Sequence, residues 1–124
     1  MNILSTLHHA EQSATTFFAE HIGDTDITIR QVALMAAIKA DPGASQTKLV
    51  YATGVDRSTL AEMTRRIVRK GWVTRRRTKH DARAYAVNLT PDGLAVLAKG
   101  KTAAAKTEKA LLEKFPAMKH LNGH

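Results

Sequence analysis

Between Arg57 and Arg83 the chain carries ten basic side chains: Arg57, Arg65, Arg66, Arg69, Lys70, Arg75, Arg76, Arg77, Lys79 and Arg83. Only two acids, Glu62 and Asp81, share that stretch. The whole sequence of 124 residues has 19 Lys and Arg against 11 Asp and Glu, a formal net charge of +8. Outside the 57–83 segment nine bases face nine acids, so the entire excess sits in one stretch. Eight of its ten bases are arginine, whose planar fork matches a phosphate with two parallel hydrogen bonds. Charge placed for solubility alone has no reason to concentrate in this way. The segment reads as a surface that faces a polyanion.

The elements around this segment must position it. Ile3, Leu4, Leu7, Ala10, Ala14, Phe17, Phe18 and Ile22 recur at three- and four-residue steps, which predicts a helix over residues 3–22. Gly23-Asp24-Thr25-Asp26 is a turn cluster. Thr28 and Gln31 fit a capping box for a second helix that runs to about Ala40, and Asp41-Pro42-Gly43 ends it. Ser45 caps a short helix from Gln46 to about Ala52, with Leu49 and Val50 inward. After the tight turn Thr53-Gly54-Val55, Asp56 caps a fourth helix over 57–70 with the stripe Leu60, Met63, Ile67 and Val68. Lys70-Gly71 is a helix exit. Trp72-Val73-Thr74 and the alternating Tyr85, Val87 and Leu89 predict two strands around a charged tip at 77–82. Thr90-Pro91 opens a last long helix that reaches about Lys114, and Phe115-Pro116 breaks it.

The expected fold is mainly α with a small β-hairpin. The order of helix, short helix, tight turn, capped helix and basic hairpin is that of a winged helix-turn-helix. A helix about 12 Å across fits the major groove of DNA. The second helix of such a pair offers its N-terminal residues to base edges. A basic hairpin beside it reaches the minor groove, where arginine is favoured.

Five segments then resemble the MarR family of dimeric winged helix-turn-helix transcriptional regulators. They are Pro42-Gly43-Ala44-Ser45-Gln46-Thr47-Lys48-Leu49, Val55-Asp56-Arg57-Ser58-Thr59-Leu60, Arg69-Lys70-Gly71-Trp72-Val73, Asp81-Ala82-Arg83 and Leu89-Thr90-Pro91-Asp92-Gly93. The resemblance implies one MarR-like domain over 1–124, with a winged helix-turn-helix core at 28–90 and dimerisation helices at 1–22 and 91–124. It implies double-stranded DNA as partner, contacted by Arg57, Ser58 and Thr59 on the recognition helix. Arg83 of the D-x-R wing motif would enter the minor groove, with Arg77 and Lys79 on flanking phosphates. Ser45, Gln46 and Thr47, opening the supporting helix, would hold a backbone phosphate.

The sequence departs from the family pattern at two positions. Glu62 stands where many relatives carry a base. Its carboxylate either accepts from a cytosine amino group or pairs with Arg65 or Arg66, and the ion pair is the favoured reading. Arg65 stands where relatives often carry an aspartate, and pairs with Asp81 in reversed polarity on this reading. Arg65 and Arg66 join the expected DNA face.

Apolar residues on the terminal helices exceed what a small winged domain buries, which predicts a homodimer through Leu4, Leu7, Phe17, Phe18, Leu111, Leu112, Phe115, Met118 and Leu121, with Leu94 and Leu97 as further candidates. The resemblance also implies a small-molecule effector site in many members. Phe17, His21, Arg30 and Met35 would line it here, though ordinary core is the plainer reading of those residues. The expected function is that of a repressor at a pseudo-palindromic operator. Two other readings stay open: a sequence-tolerant architectural or plasmid or phage accessory protein, and a winged-helix protein-interaction module. RNA binding is disfavoured by the small sheet, with Tyr85 and Trp72 alone to stack on bases.

Other chemistries find no support. The sequence has no cysteine, which excludes disulfides, thiolate metal sites and thiol-oxidation switches. His8, His9, His21, His80, His120 and His124 show no metal-ligand spacing on one helix face. No phosphate loop or nucleophile motif occurs, so no enzyme activity and no cofactor or metal is expected. The longest apolar run, Val32 to Ile38, is far short of a membrane span, and no signal peptide is read at the N-terminus, so the expected location is the bacterial cytoplasm, at the nucleoid.

Overall fold

Helices in this chain begin where a polar side chain can take up a free backbone N–H. Asn2 accepts from the Ser5 N–H at 2.8 Å and starts α1 (Ile3–Ile22). Ser45 accepts from the Lys48 N–H at 3.2 Å and starts α3 (Gln46–Thr53). Asp56 accepts from the Thr59 N–H at 2.9 Å and starts α4 (Arg57–Arg69). The Thr90 hydroxyl accepts from the Gly93 N–H at 3.0 Å and starts α5 (Pro91–Lys114). Each bond satisfies one of the donors that the first helical turn leaves open. The second helix, α2 (Ile29–Ala40), follows Thr28 directly. These bounds come from a computed structural model, which describes residues 2–77 and 85–122.

The chain divides into two compact units. One comprises residues 30–98 and holds α2 from Arg30 on, α3, α4, the hairpin and the start of α5. Leu34, Met35, Ile38, Leu60, Ile67 and Leu97 are its largest fully buried side chains. Each such side chain withdrawn from water contributes roughly 1.5–3 kcal/mol. Leu97, a sequence candidate for the dimer surface, is therefore a core residue at 1% exposure. Of the expected stripe on α4, Leu60 and Ile67 are buried, Met63 and Val68 are half-buried, and Thr64 joins the buried face.

The exit from α4 fixes where the hairpin starts. The Trp72 N–H donates to the Ile67 carbonyl at 3.0 Å and the Gly71 N–H to the Val68 carbonyl at 3.0 Å. Gly71 has φ 78°, the left-handed conformation that this paired closure of a helix end requires. Trp72 is thereby spent in the turn, so β1 runs Val73–Arg77 and not from Trp72 as the sequence suggested. It pairs antiparallel with β2 (Tyr85–Leu89), Val73 opposite Leu89 and Arg77 opposite Tyr85. Arg77 thus ends a strand and does not belong to the tip. Alternation on β2 is weaker than expected: Val87 is buried, while its four strand neighbours are all half-buried. A bridge between Ala44 and Val87, with the Gly43 N–H donating to the Val87 carbonyl at 3.1 Å, adds a third short segment beside β2. One bridged residue leaves no periodic trace in the sequence.

Residues 1–29 and 99–124 form the other unit. It contains α1, the rest of α5 and a 3-10 helix at Pro116–Asn122. Ala10, Ser13, Phe18, Ala103 and Thr107 are buried there. The Lys114 ammonium donates to the Ser13 hydroxyl at 2.8 Å, tying α5 to α1. No helix among the described residues is long and apolar enough to cross a membrane.

Candidate nucleic-acid interface

α3 and α4 meet at their N-terminal ends. After α3, Gly54 takes the left-handed conformation with φ 72° and its N–H donates to the Val50 carbonyl at 2.9 Å, which turns the chain within three residues. The Arg57 guanidinium, on the first turn of α4, donates to the Thr47 hydroxyl at 2.7 Å. The Gln46 side-chain amide donates to the Arg57 carbonyl at 3.2 Å. These two bonds bring Gln46 and Thr47 of the supporting helix together with Arg57 of the next helix on an exposed surface. Ser45 caps α3 with its hydroxyl.

Ser58 and Thr59 lie on the same first turn, and their hydroxyls are already engaged. Ser58 donates to one Asp56 carboxylate oxygen at 3.1 Å and Thr59 donates to the other at 2.9 Å. Both keep lone pairs to accept from a base or a water. Asp56 carries the whole cap, and its carboxyl is held below the ordinary value of 3.8, first by the Thr59 N–H and then by the two hydroxyls. A group whose pKa is depressed on folding stabilises above its ordinary value and stops doing so as pH falls through the folded value. Asp56→Ala is therefore expected to lower the melting temperature at pH 7 by about 3 °C. In melts at descending pH the gap between variant and parent should close below about pH 4. A gap that stays constant to about pH 3 would show that the cap does not act through charge.

Beyond the first turn, the outward face of α4 is a cluster of four charges. Glu62 accepts from Arg65 at 2.8 Å and from Arg66 at 3.4 Å, and Arg69 approaches the same carboxylate at 3.9 Å. The ion-pair reading of Glu62 agrees with this geometry. The hydrogen bond from Arg65, ahead of that from Arg66, holds the Glu62 carboxyl below its ordinary range. Arg65 is committed to Glu62, and its other expected partner, Asp81, lies outside the described residues. Arg69 was not singled out in the sequence. Its distance from Glu62, two full helical turns, was the signal that places it on the same face.

The hairpin extends the basic surface. Arg75, Arg76 and Arg77 are all exposed on β1, and the Arg75 guanidinium lies 4.8 Å from the centre of the Tyr85 ring. The Lys70 ammonium lies 4.6 Å from the centre of the Trp72 ring. Lys79 and Arg83 lie outside the described residues, as does His80.

In the other unit the expected dimer contacts differ among themselves. Leu4 and Leu7 are exposed at 78% and 53%, with Ile3 beside them. Phe17, Leu111, Leu112, Phe115 and Met118 are half-buried. Phe18 is only 5% exposed within the single chain, which makes it a core residue with little to offer a partner. The Leu121 side chain lies outside the described residues. Phe17 lines a cavity of about 250 Å³ with His9, Gln12, Ser13, Thr16 and Lys114. Of the other residues read as an effector lining, Met35 is fully buried core, while His21 and Arg30 are exposed. Among the described residues no group of His, Asp or Glu is arranged to hold a metal ion.

Comparison with known proteins places this arrangement. The family model described as MarR family matches residues 27–85. The multiple antibiotic resistance protein MarR of Escherichia coli K12 is 30% identical over 90 residues, which is 73% of this chain and 62% of that protein. The chain thus spans less than two thirds of the length of such curated relatives. Among solved structures, the PcaV transcriptional regulator from Streptomyces coelicolor in complex with its natural ligand superposes with a TM-score of 0.85 at 25% identity, covering 98% of this chain and 85% of that one. A mutant of Escherichia coli MarR complexed with operator DNA superposes with a TM-score of 0.77 at 25% identity, covering 89% of this chain and 79% of that one.

Proposed function

We propose, given that the chain belongs to the MarR family of winged helix-turn-helix proteins, that it is a transcriptional regulator acting on double-stranded DNA. On this reading it is a repressor that binds a pseudo-palindromic operator as a homodimer. The carrying observation is the concentration of the whole charge excess in residues 57–83, where α4 and β1 expose Arg57, Arg65, Arg66, Arg69 and Arg75 to Arg77. α4 lies in the major groove with Arg57 and Ser58 toward base edges, and the wing lies in the adjacent minor groove. Gln46 and Thr47 stand at the supporting helix start, where a phosphate is held by N–H groups and the helix dipole.

The dimer is supported by the exposed Ile3, Leu4 and Leu7 and by the half-buried Leu111, Leu112, Phe115 and Met118 in the unit of α1 and α5. Two copies then present two recognition helices about one turn of DNA apart. A small molecule that binds the dimer non-covalently shifts that spacing and so releases DNA; the similar PcaV structure holds its natural ligand. The site of action is the cytoplasm, at the nucleoid. Nothing in this role calls for enzyme chemistry.

Fluorescence anisotropy tests the reading. The protein is titrated against the duplex upstream of its own gene and against a scrambled duplex of the same length. Tighter binding to the first by about 10³ or more is expected. Equal binding to both would replace the operator reading with a sequence-tolerant architectural one. Binding to neither at low salt would replace it with a protein-interaction module.

A further inference from the structure

Glu62 occupies an unusual place for an acid. It is the single carboxylate between Arg57 and Arg69, and it sits in the middle of the face that α4 turns outward. Leu60 and Thr64, both buried, are each two residues away, so Glu62 lies about 160° around the helix from them. Ser58 is one turn before it, and Arg65, Arg66 and Arg69 close around it at 2.8, 3.4 and 3.9 Å. If α4 enters a groove, this carboxylate enters with it. A lone acid there repels phosphate; an acid bound to three guanidiniums does something different.

We propose that Glu62 sets the sequence discrimination of α4 by holding Arg65, Arg66 and Arg69 in fixed positions, away from phosphates that carry no sequence information. The inference rests on the DNA-binding reading above. Phosphate contacts are common to every sequence, while base contacts are not. A non-specific complex is loose and takes any cation within reach of any phosphate, so it gains from untethered arginines. A specific complex needs each guanidinium at one place against a base edge, so it gains from a tether that removes the cost of ordering a long side chain. Glu62 thus weakens the first complex more than the second. Hydrogen bonds from Arg65 and Arg66 keep its carboxyl below the ordinary range, so the tether is charged at neutral pH. Glu62 is a positioning residue on this account and touches no base.

The test compares the parent protein with Glu62→Gln on the cognate and scrambled duplexes over a salt series. Expected is an affinity for the scrambled duplex raised about tenfold, with a salt slope steeper by about 1 per recognition helix. Affinity for the cognate duplex should stay within about threefold, because lost ordering offsets lost repulsion. In an Arg65→Ala, Arg66→Ala, Arg69→Ala background the same Glu62→Gln change should leave the scrambled-duplex affinity unaltered, which a carboxylate acting directly on DNA would not do. Circular dichroism and melting temperature confirm that every variant is folded. An equal gain on both duplexes reduces Glu62 to simple repulsion and overturns the proposal. A loss confined to the cognate duplex makes it a base reader and overturns it as well, and so does no change on either. Should the parent bind neither duplex, it is the DNA-binding reading that fails, and this inference falls with it.

Discussion

Gly93→Ala is expected to lower the melting temperature by roughly 8 °C, a net loss of about 2 kcal/mol. Gly93 is on the first turn of α5, packed against the backbone of Trp72. A Cβ built there overlaps the Trp72 carbonyl oxygen and crowds the carbonyl carbon at 2.9 Å and the Cα at 3.1 Å. These are backbone atoms, and they are fixed on every side. The Trp72 carbonyl accepts from the Thr90 N–H at 3.0 Å, and the Thr90 hydroxyl donates to the Gly71 carbonyl at 2.6 Å. The Trp72 N–H is bound to Ile67 in the closure of α4. The crowded residue therefore cannot yield without loosening the end of the recognition helix, the start of β1 and the start of α5 together.

The sign of this prediction is informative. In an exposed helix, Gly→Ala stabilises by about 1 kcal/mol. A loss requires the collision to outweigh that gain. Trp72, the one tryptophan of the chain and 9% exposed, reports unfolding directly by its fluorescence. An unchanged or raised melting temperature would mean that α5 does not dock on the Gly71–Trp72 turn.

Affinity for the cognate duplex is expected to fall by about 10³ to 10⁵ between about 50 and 200 mM salt, as for roughly 6–10 phosphates neutralised. The ten bases of the 57–83 segment supply this number of contacts across two protomers without using every side chain. Arg75, Arg76 and Arg77 are exposed and set on a paired strand, so each binds phosphate at modest ordering cost. The fall arises from counterions released by the duplex, which return as salt rises. The measurement is the slope of log affinity against log salt. A slope near about −1 would leave only one or two phosphates in contact, and the concentrated charge would then need a different partner.

Legibility of the fold in the sequence followed the strength of local signals. Asp56, Ser45 and Thr90 announce helix starts by their chemistry, and all three hydroxyl or carboxylate caps form as read. Gly71 and Gly54 announce helix ends for the same local reason, since their left-handed backbone suits glycine. The boundary between α4 and β1 was read one residue early because a β-prone Trp72 is drawn into the helix closure. The candidate site was legible as a charge distribution and as an order of elements. Its internal bonding was less so: Arg69 was counted among the bases but not placed on the expected DNA face, and the coupling of Arg57 to Thr47 joins residues ten apart across a turn.

What the sequence by itself determined, then, is the chemistry and its approximate address. Charge excess, caps, breakers and periodic stripes are properties of neighbouring residues, and they specify a capped basic helix followed by a basic hairpin. The tertiary structure decided which of those residues remain free to act. Only packing separates Leu4, which stays exposed, from Phe18 and Leu97, which the same periodicity marks and which the chain buries for itself. Only packing makes Gly93 indispensable, because its constraint comes from a carbonyl 21 residues earlier in the chain. Glu62 shows the same division at close range. Its spacing from Arg65, Arg66 and Arg69 is written in the sequence, but the helix rotation that turns all four outward is set by the burial of Leu60, Thr64 and Ile67 on the opposite side.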